Sequence, residues 1–152
     1  MEIKNYFKSL NVLHLSLVIG LSIFFVIAIV QGNGFNTDLS ANRALLYLVP
    51  AIALTGYFGS QFIFKKILSG VQMSDSLETK LKKFQSASHI KYVVIEAPSF
   101  FALFVYYTTG NALPLIIAGC LLAYLFVQKP SKEKVLQSLP FNAEEKQEIT
   151  YN

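Results

Sequence analysis

The sequence predicts an all-α protein: a bundle of four transmembrane helices with both chain ends on the cytoplasmic side, and a cytoplasmic helical extension ahead of the third span. Three observations carry that prediction. The chain of 152 residues is 53% hydrophobic and only 14% charged, against about 25% charged in an ordinary soluble domain. Its 13 basic and 9 acidic residues are crowded into a few segments, so they cannot cover a soluble exterior. Four long apolar runs alternate with short polar segments, and lysines collect on alternate sides of those runs.

Each run is justified by its length. Val12 to Val30 is nineteen residues without a formal charge, long enough to cross a hydrocarbon layer of roughly 30 Å at about 1.5 Å per residue. Ala44 to Phe64 is uncharged over 21 positions, with Pro50 near its entry, where a lost backbone bond is easier to tolerate. The third run, Tyr92 to Thr109, contains Glu96. The fourth, Ala112 to Val127, has sixteen residues and needs Asn111 and Gln128, local thinning of the bilayer or close packing to complete a crossing. The chain thus divides into a transmembrane domain over residues 1–130 and a short cytoplasmic tail over 131–152.

Twelve of the thirteen basic residues lie before the first run, between the second and third, or after the fourth; Arg43 alone lies on the other side. The positive-inside bias therefore places both termini in the cytoplasm. The apolar run near the start exceeds a signal-peptide core, and GNGFNTD follows it in place of a small-residue cleavage site, so it is read as retained.

The connecting segments carry their own signals. Gly110 and Asn111 tolerate the left-handed conformation that ends a helix, which makes the last two spans a tight antiparallel hairpin. Asp75 and Glu78 have N-cap and N3 spacing ahead of an uninterrupted stretch to Ala97, so the third span begins as a cytoplasmic helix. On that extension Leu77, Leu81 and Phe84 share one face. Lys80, Lys82 and Lys83 fill much of the rest, a basic surface suited to anionic headgroups or a protein partner, or else a solvated extension packed on its neighbours. In the tail, one short helix is expected after Ser131 and another capped by Asn142 with Glu145 three residues on. The tail either docks on the basic loop through Glu144, Glu145 and Glu148 or is a loosely ordered end.

Candidate chemistry lies in one layer. Glu96 is the single acid in any span, and an ionised carboxylate there costs several kcal/mol unless it is paired, hydrated or protonated. Counting along each helix puts His14, Gln61 and Tyr124 at a similar depth. These four form a candidate intramembrane polar layer, with His14 as proton partner of Glu96 and Gln61 and Tyr124 completing the hydrogen bonds. The alternative is that Glu96 snorkels beside Lys91 and His14 points at water. Pro98, two residues beyond Glu96, predicts a kink or a freed carbonyl at residue 94, serving either an ion site or packing. Close helix approach is expected at Thr55/Gly59, Gly56/Ser60, Ser16/Gly20 and Gly119/Ala123, with the surplus on the second span available for self-association.

A lone Cys120, no metal-spaced His/Cys cluster and no glycine-rich phosphate loop leave the familiar catalytic frameworks without residues. No enzyme activity, cofactor, catalytic residue or metal site is expected. The net charge of +4 follows from membrane orientation, and no aromatic-rich basic patch points to nucleic acid.

The four-run layout, the segment LETKLKKFQSASHIKYVVIEAPSFFALFVYYTTGN and the following QKPSKEKVLQSLPFNAEEK resemble uncharacterised small four-span integral membrane proteins of Bacteroidota. That resemblance implies a multi-pass protein of a bacterial inner (plasma) membrane and supplies no catalytic residues. IEAPSFFALFVYY is also faintly similar to the ion-carrying helix of rotary ATPase proteolipids, but the glycine-rich partner helix is missing and Glu96 is shallow. The functional expectation is a structural or accessory subunit engaging lipid or a membrane protein partner, or forming a homo-oligomer. The alternative is a proton- or cation-translocating module with Glu96 as carrier.

Overall fold

A computed structural model describes residues 3–38, 40 and 42–151, so the outermost residues of both proposed segments and two loop positions lie outside it. The described residues form six helices, α1 (Ile3–Gln31), α2 (Arg43–Ser69), α3 (Leu77–Thr109), α4 (Ala112–Val127), α5 (Lys132–Ser138) and α6 (Ala143–Tyr151). α1, α2 and α3 are long and apolar enough to cross a membrane. α4 has sixteen residues and reaches that length only together with α5, which turns 87° away from it.

The long helices outrun the apolar stretches that nucleate them. α1 has 29 residues and α3 has 33, about 43 and 50 Å at 1.5 Å per residue. Their surplus turns project from the bundle at one end, here called basal, where α5 and α6 also lie. α3 is central and packs on α2, α4 and α1; α4 touches the other three, while α1 and α2 scarcely meet. In cross-section the bundle is a diamond with α3 and α4 on the short diagonal.

Two hydrophobic cores are stacked along the bundle. The upper one joins Val18 and Leu21 of α1, Val49 of α2, Ile95 and Ala102 of α3, and Leu125 of α4. The basal one joins Tyr6 and Leu10, Leu68, Leu81 and Phe84, and the tail residues Val135, Phe141 and Ile149. Around the upper core the outside is as apolar as the inside. Val12, Leu15, Ile19, Ile23, Val26 and Val30 form an exposed stripe along α1, and Leu54, Phe58 and Phe62 one along α2. Exposed apolar stripes this long suit a helix that faces hydrocarbon.

Pro98 lies within an unbroken α3 and is buried. It lacks the N–H that the Val94 carbonyl would otherwise accept. Gly56 of α2 fills the gap: the space a Cβ would occupy there is already taken by the Pro98 ring, with the Val94 oxygen 3.0 Å away. Ser60, one turn on, is fully buried on the same face. Of the expected small-residue contacts, Gly56/Ser60 therefore makes the α2–α3 seam, and a Cβ at Gly119 would stand 3.6 Å from the Phe25 ring. Gly59 and Gly20 face open space.

At the other end, Gly110 takes the left-handed conformation at φ 65° and donates its N–H to the Tyr106 carbonyl at 2.7 Å, closing the expected hairpin. The preceding loop is latched onto that hairpin. Asn36 N–H donates to the Gly110 carbonyl and Ala112 N–H to the Asn36 carbonyl, both at 2.8 Å. Asn111, buried, donates to the Asp38 carbonyl at 2.9 Å while its side-chain oxygen caps α4 by accepting from Leu113 N–H at 3.0 Å.

One sequence expectation shifts at the base. The N-cap of α3 is Ser76, whose hydroxyl accepts from Thr79 N–H. Asp75 instead accepts from Gln72 N–H at 3.0 Å and pairs with Lys83 at 3.4 Å. A Ser-x-x-Thr cap competes with the Asp-x-x-Glu spacing one residue earlier, and Glu78 is then freed to pair with Lys82 at 2.7 Å. Of the two readings of the extension, packing on its neighbours holds for this face: Leu81 and Phe84 are buried in the basal core.

Candidate functional site

The tail is docked, and a buried lysine holds it. Asn142 and Glu145 form the expected capping box in both directions: Glu145 N–H donates to Asn142 Oδ1 at 2.8 Å, and Asn142 N–H donates to Glu145 Oε2 at 2.9 Å. The same carboxylate accepts from Lys80 Nζ at 2.8 and 3.0 Å. Lys80 is 0% exposed; it also donates to the Met73 carbonyl at 3.0 Å and lies 5.6 Å from the Phe141 ring centroid. An ammonium has three donors and no acceptors, so this environment satisfies it in full. Lys80 is thus removed from the basic surface expected of Lys80, Lys82 and Lys83, and the latter two are already paired with Glu78 and Asp75.

In the membrane layer the four polar residues do not converge. Gln61 Nε2 donates to Tyr124 Oη at 3.0 Å, and the Tyr57 ring lies 4.8 Å from that of Tyr124. His14 Nε2 is 2.8 Å from the Leu125 carbonyl and its ring meets Tyr92 edge-on at 5.0 Å. A carbonyl only accepts, so Nε2 carries the proton. Among the described residues no hydrogen bond or ion pair joins Glu96 to His14, Gln61, Tyr124 or Lys91. Glu96 is half-buried on α3. Asn11 Oδ1 and His89 Nε2 are buried without a hydrogen-bond partner among the described residues.

His14 has a structural task that the sequence did not disclose. The last carbonyls of an α-helix have no partner within it, and α4 is too short to bury them by extension. His14 takes that of Leu125, Tyr92 Oη donates to that of Gln128 at 3.2 Å, and Lys134 Nζ donates to those of Val127 and Lys129, both at 2.9 Å. A cation at a helix C-terminus is also favoured by the helix dipole. The available signal was Ser131, which accepts from Lys134 N–H at 3.2 Å and so turns α5 back under α4.

Beside these capped carbonyls lies a basal cavity of about 200 Å³ between α2, α3 and α5, lined by Lys91, Lys134, Gln128, Ser88 and the Phe64 ring among others. Lys91 Nζ donates to Gln128 Oε1 at 2.7 Å and lies 4.9 Å from the centre of the Phe64 ring. Lys65 and Ser138 continue the cavity along α2. From the sequence, Lys65, Lys91 and Lys134 count toward orientation, and Lys91 also as a neighbour of Glu96. Among the described residues no group of His, Cys, Asp and Glu is arranged to hold a metal ion. Comparison with protein-family models, with curated proteins and with solved structures finds no match to this chain.

Proposed function

We propose that this chain is a small integral membrane protein of a bacterial inner membrane, without enzymatic activity, that serves as a structural or accessory subunit. Its basal end is read as cytoplasmic because lysines cluster there. The observation that carries the reading is the way the membrane-level polar groups are used. Gln61 and Tyr124 bond to each other, and His14 bonds to a helix terminus. Each closes a packing contact, and among the described residues no hydrogen bond or ion pair links Glu96 to another titratable group. The working surface is then the basal end, with lipid headgroups or a protein partner as its counterpart.

Purification of the tagged protein from its native membrane in mild detergent, with mass analysis of what accompanies it, tests this. A stoichiometric partner is the expected result, and a homo-oligomer without a partner contradicts the accessory role. A protease-accessible tag on the basal end of inside-out vesicles, protected in right-side-out cells, is expected from the orientation. One observation favours the second reading, proton or cation translocation: Glu96 is an acid within a span and has no ion-pair partner among the described residues.

A further inference from the structure

Three lysines face one another at the base of the α2–α4 seam without an acid among the described residues that line it. Lys91 and Lys134 line the same cavity, and Lys65 lies on its continuation along α2. Lys65 and Lys134 are close enough to repel the Lys91 ammonium. The ion pairs among the described residues are Lys80–Glu145, Lys82–Glu78 and Lys83–Asp75, and none involves these three. Their hydrogen bonds go to neutral groups. Of its three donors, Lys91 gives one to Gln128, and Lys134 gives two to backbone carbonyls. That leaves two donors on Lys91 and one on Lys134 for an acceptor in the cavity.

Directly above, the same seam changes character. An apolar groove of about 380 Å³ runs between α2 and α4, past Pro50, Leu54, Ile117 and Cys120, and ends on the Tyr57 and Tyr124 rings. The Gln61–Tyr124 hydrogen bond lies between the groove and the lysine cavity. Tyr92 and Gln128, at the basal limits of the third and fourth apolar runs, mark the depth at which hydrocarbon gives way to headgroups.

We propose that this seam is a binding site for one anionic glycerophospholipid. Lys91, Lys134 and Lys65 hold its phosphate, the Gln61 and Tyr124 pair lies at the level of the ester groups, and an acyl chain fills the Pro50–Tyr124 groove. The occupant is anionic because the described residues of the cavity offer cationic donors without a carboxylate to receive the ammonium of a zwitterionic headgroup. This inference rests on the reading of the chain as membrane-spanning with its basal end at the headgroups.

The test uses the full-length protein purified in detergent, titrated with phosphatidylglycerol or phosphatidylcholine, with lipid adducts read by native mass spectrometry and thermal unfolding by circular dichroism. The site predicts a one-to-one adduct with phosphatidylglycerol and a raised Tm, and at least tenfold weaker binding of phosphatidylcholine. The double variant Lys91→Gln/Lys134→Gln is expected to lose at least tenfold in phosphatidylglycerol affinity. Lys134→Gln alone, at an exposed position, loses part of it, and Lys91→Arg retains it. Lys82→Gln, whose partner is Glu78, leaves it unchanged. Equal binding of the two lipids, unaltered affinity in the double variant, or equal stabilisation by water-soluble glycerol phosphate each overturns the proposal. Extraction of the protein from membranes by alkaline carbonate without detergent would instead overturn the membrane reading itself.

Discussion

The two cores of this protein are built by opposite means. The basal core resembles that of a small soluble domain: large side chains such as Leu10, Phe84 and Ile149 are collected from four segments distant in sequence, and a buried charge is compensated by Glu145. The membrane core is held by close backbone approach at Gly56 and Pro98 and by a few neutral hydrogen bonds. The difference follows from the solvent. In water, burying Leu10 or Ile149 is itself a driving force, of about 25 cal/mol per Å² of apolar surface. In hydrocarbon that force vanishes, and helices associate through shape and polar contacts.

Breaking the basal core should have the largest effect. Lys80→Ala strands the Glu145 carboxylate, whose side chain is 12% exposed, and is expected to destabilise by about 3 kcal/mol. Limited proteolysis should then cut α6 first while detergent-resistant helicity persists. Lys80→Ala and Glu145→Ala together should cost less than the sum of the two; additive costs would show that the pair does not couple tail to bundle. Gly56→Val sharpens the other half, since its side chain must displace Pro98 or the Val94 carbonyl; a loss of about 2 kcal/mol is expected. That loss should appear as helix separation in denaturing detergent, with the tail still protected. If Gly56→Val instead released the tail first, the two cores would not be separable units.

Smaller effects test the ends. Asn111→Ala removes the α4 cap and the tie to the Asp38 carbonyl and should cost about 1 kcal/mol, read as faster amide exchange at Leu113. The smallest is a pH effect. The Gln72 amide, with help from the Lys83 ammonium, holds the Asp75 carboxyl below its ordinary range. A carboxyl with a depressed folded-state pKa stabilises fully above its unfolded value, about 3.9, and loses that contribution as pH falls through the folded value. Exchange at the Gln72 amide should therefore be unchanged by lowering pH from 8 to 5, once corrected for intrinsic rates, and rise below about 4. A rise already at pH 6 would assign its protection to another group.

Much of the fold was legible because its signals are local. The first three apolar runs mark helices long and apolar enough to cross a membrane, Gly110 marks the hairpin, and Asn142 with Glu145 spells a capping box that the structure contains. The polar layer was legible only in part. Counting residues gives depth along a helix but not the direction a side chain faces around it. Gln61 and Tyr124 share both and bond; Glu96 shares depth with them without a bond. Lys80 was misplaced for a different reason. A lysine among lysines reads as solvated, and its burial depends on Glu145, 65 residues away. The lysines of the α2–α4 seam were visible as charges, but their convergence depends on the bend after α4, which a run of residues does not encode.

The central claim is that function resides at the basal end and that Glu96 belongs to the architecture. Proton flux through vesicles containing the purified protein tests it most directly. No flux above that of empty vesicles is expected for either the wild type or Glu96→Gln. A proton leak in the wild type that Glu96→Gln abolishes would contradict it and make the membrane core the working site.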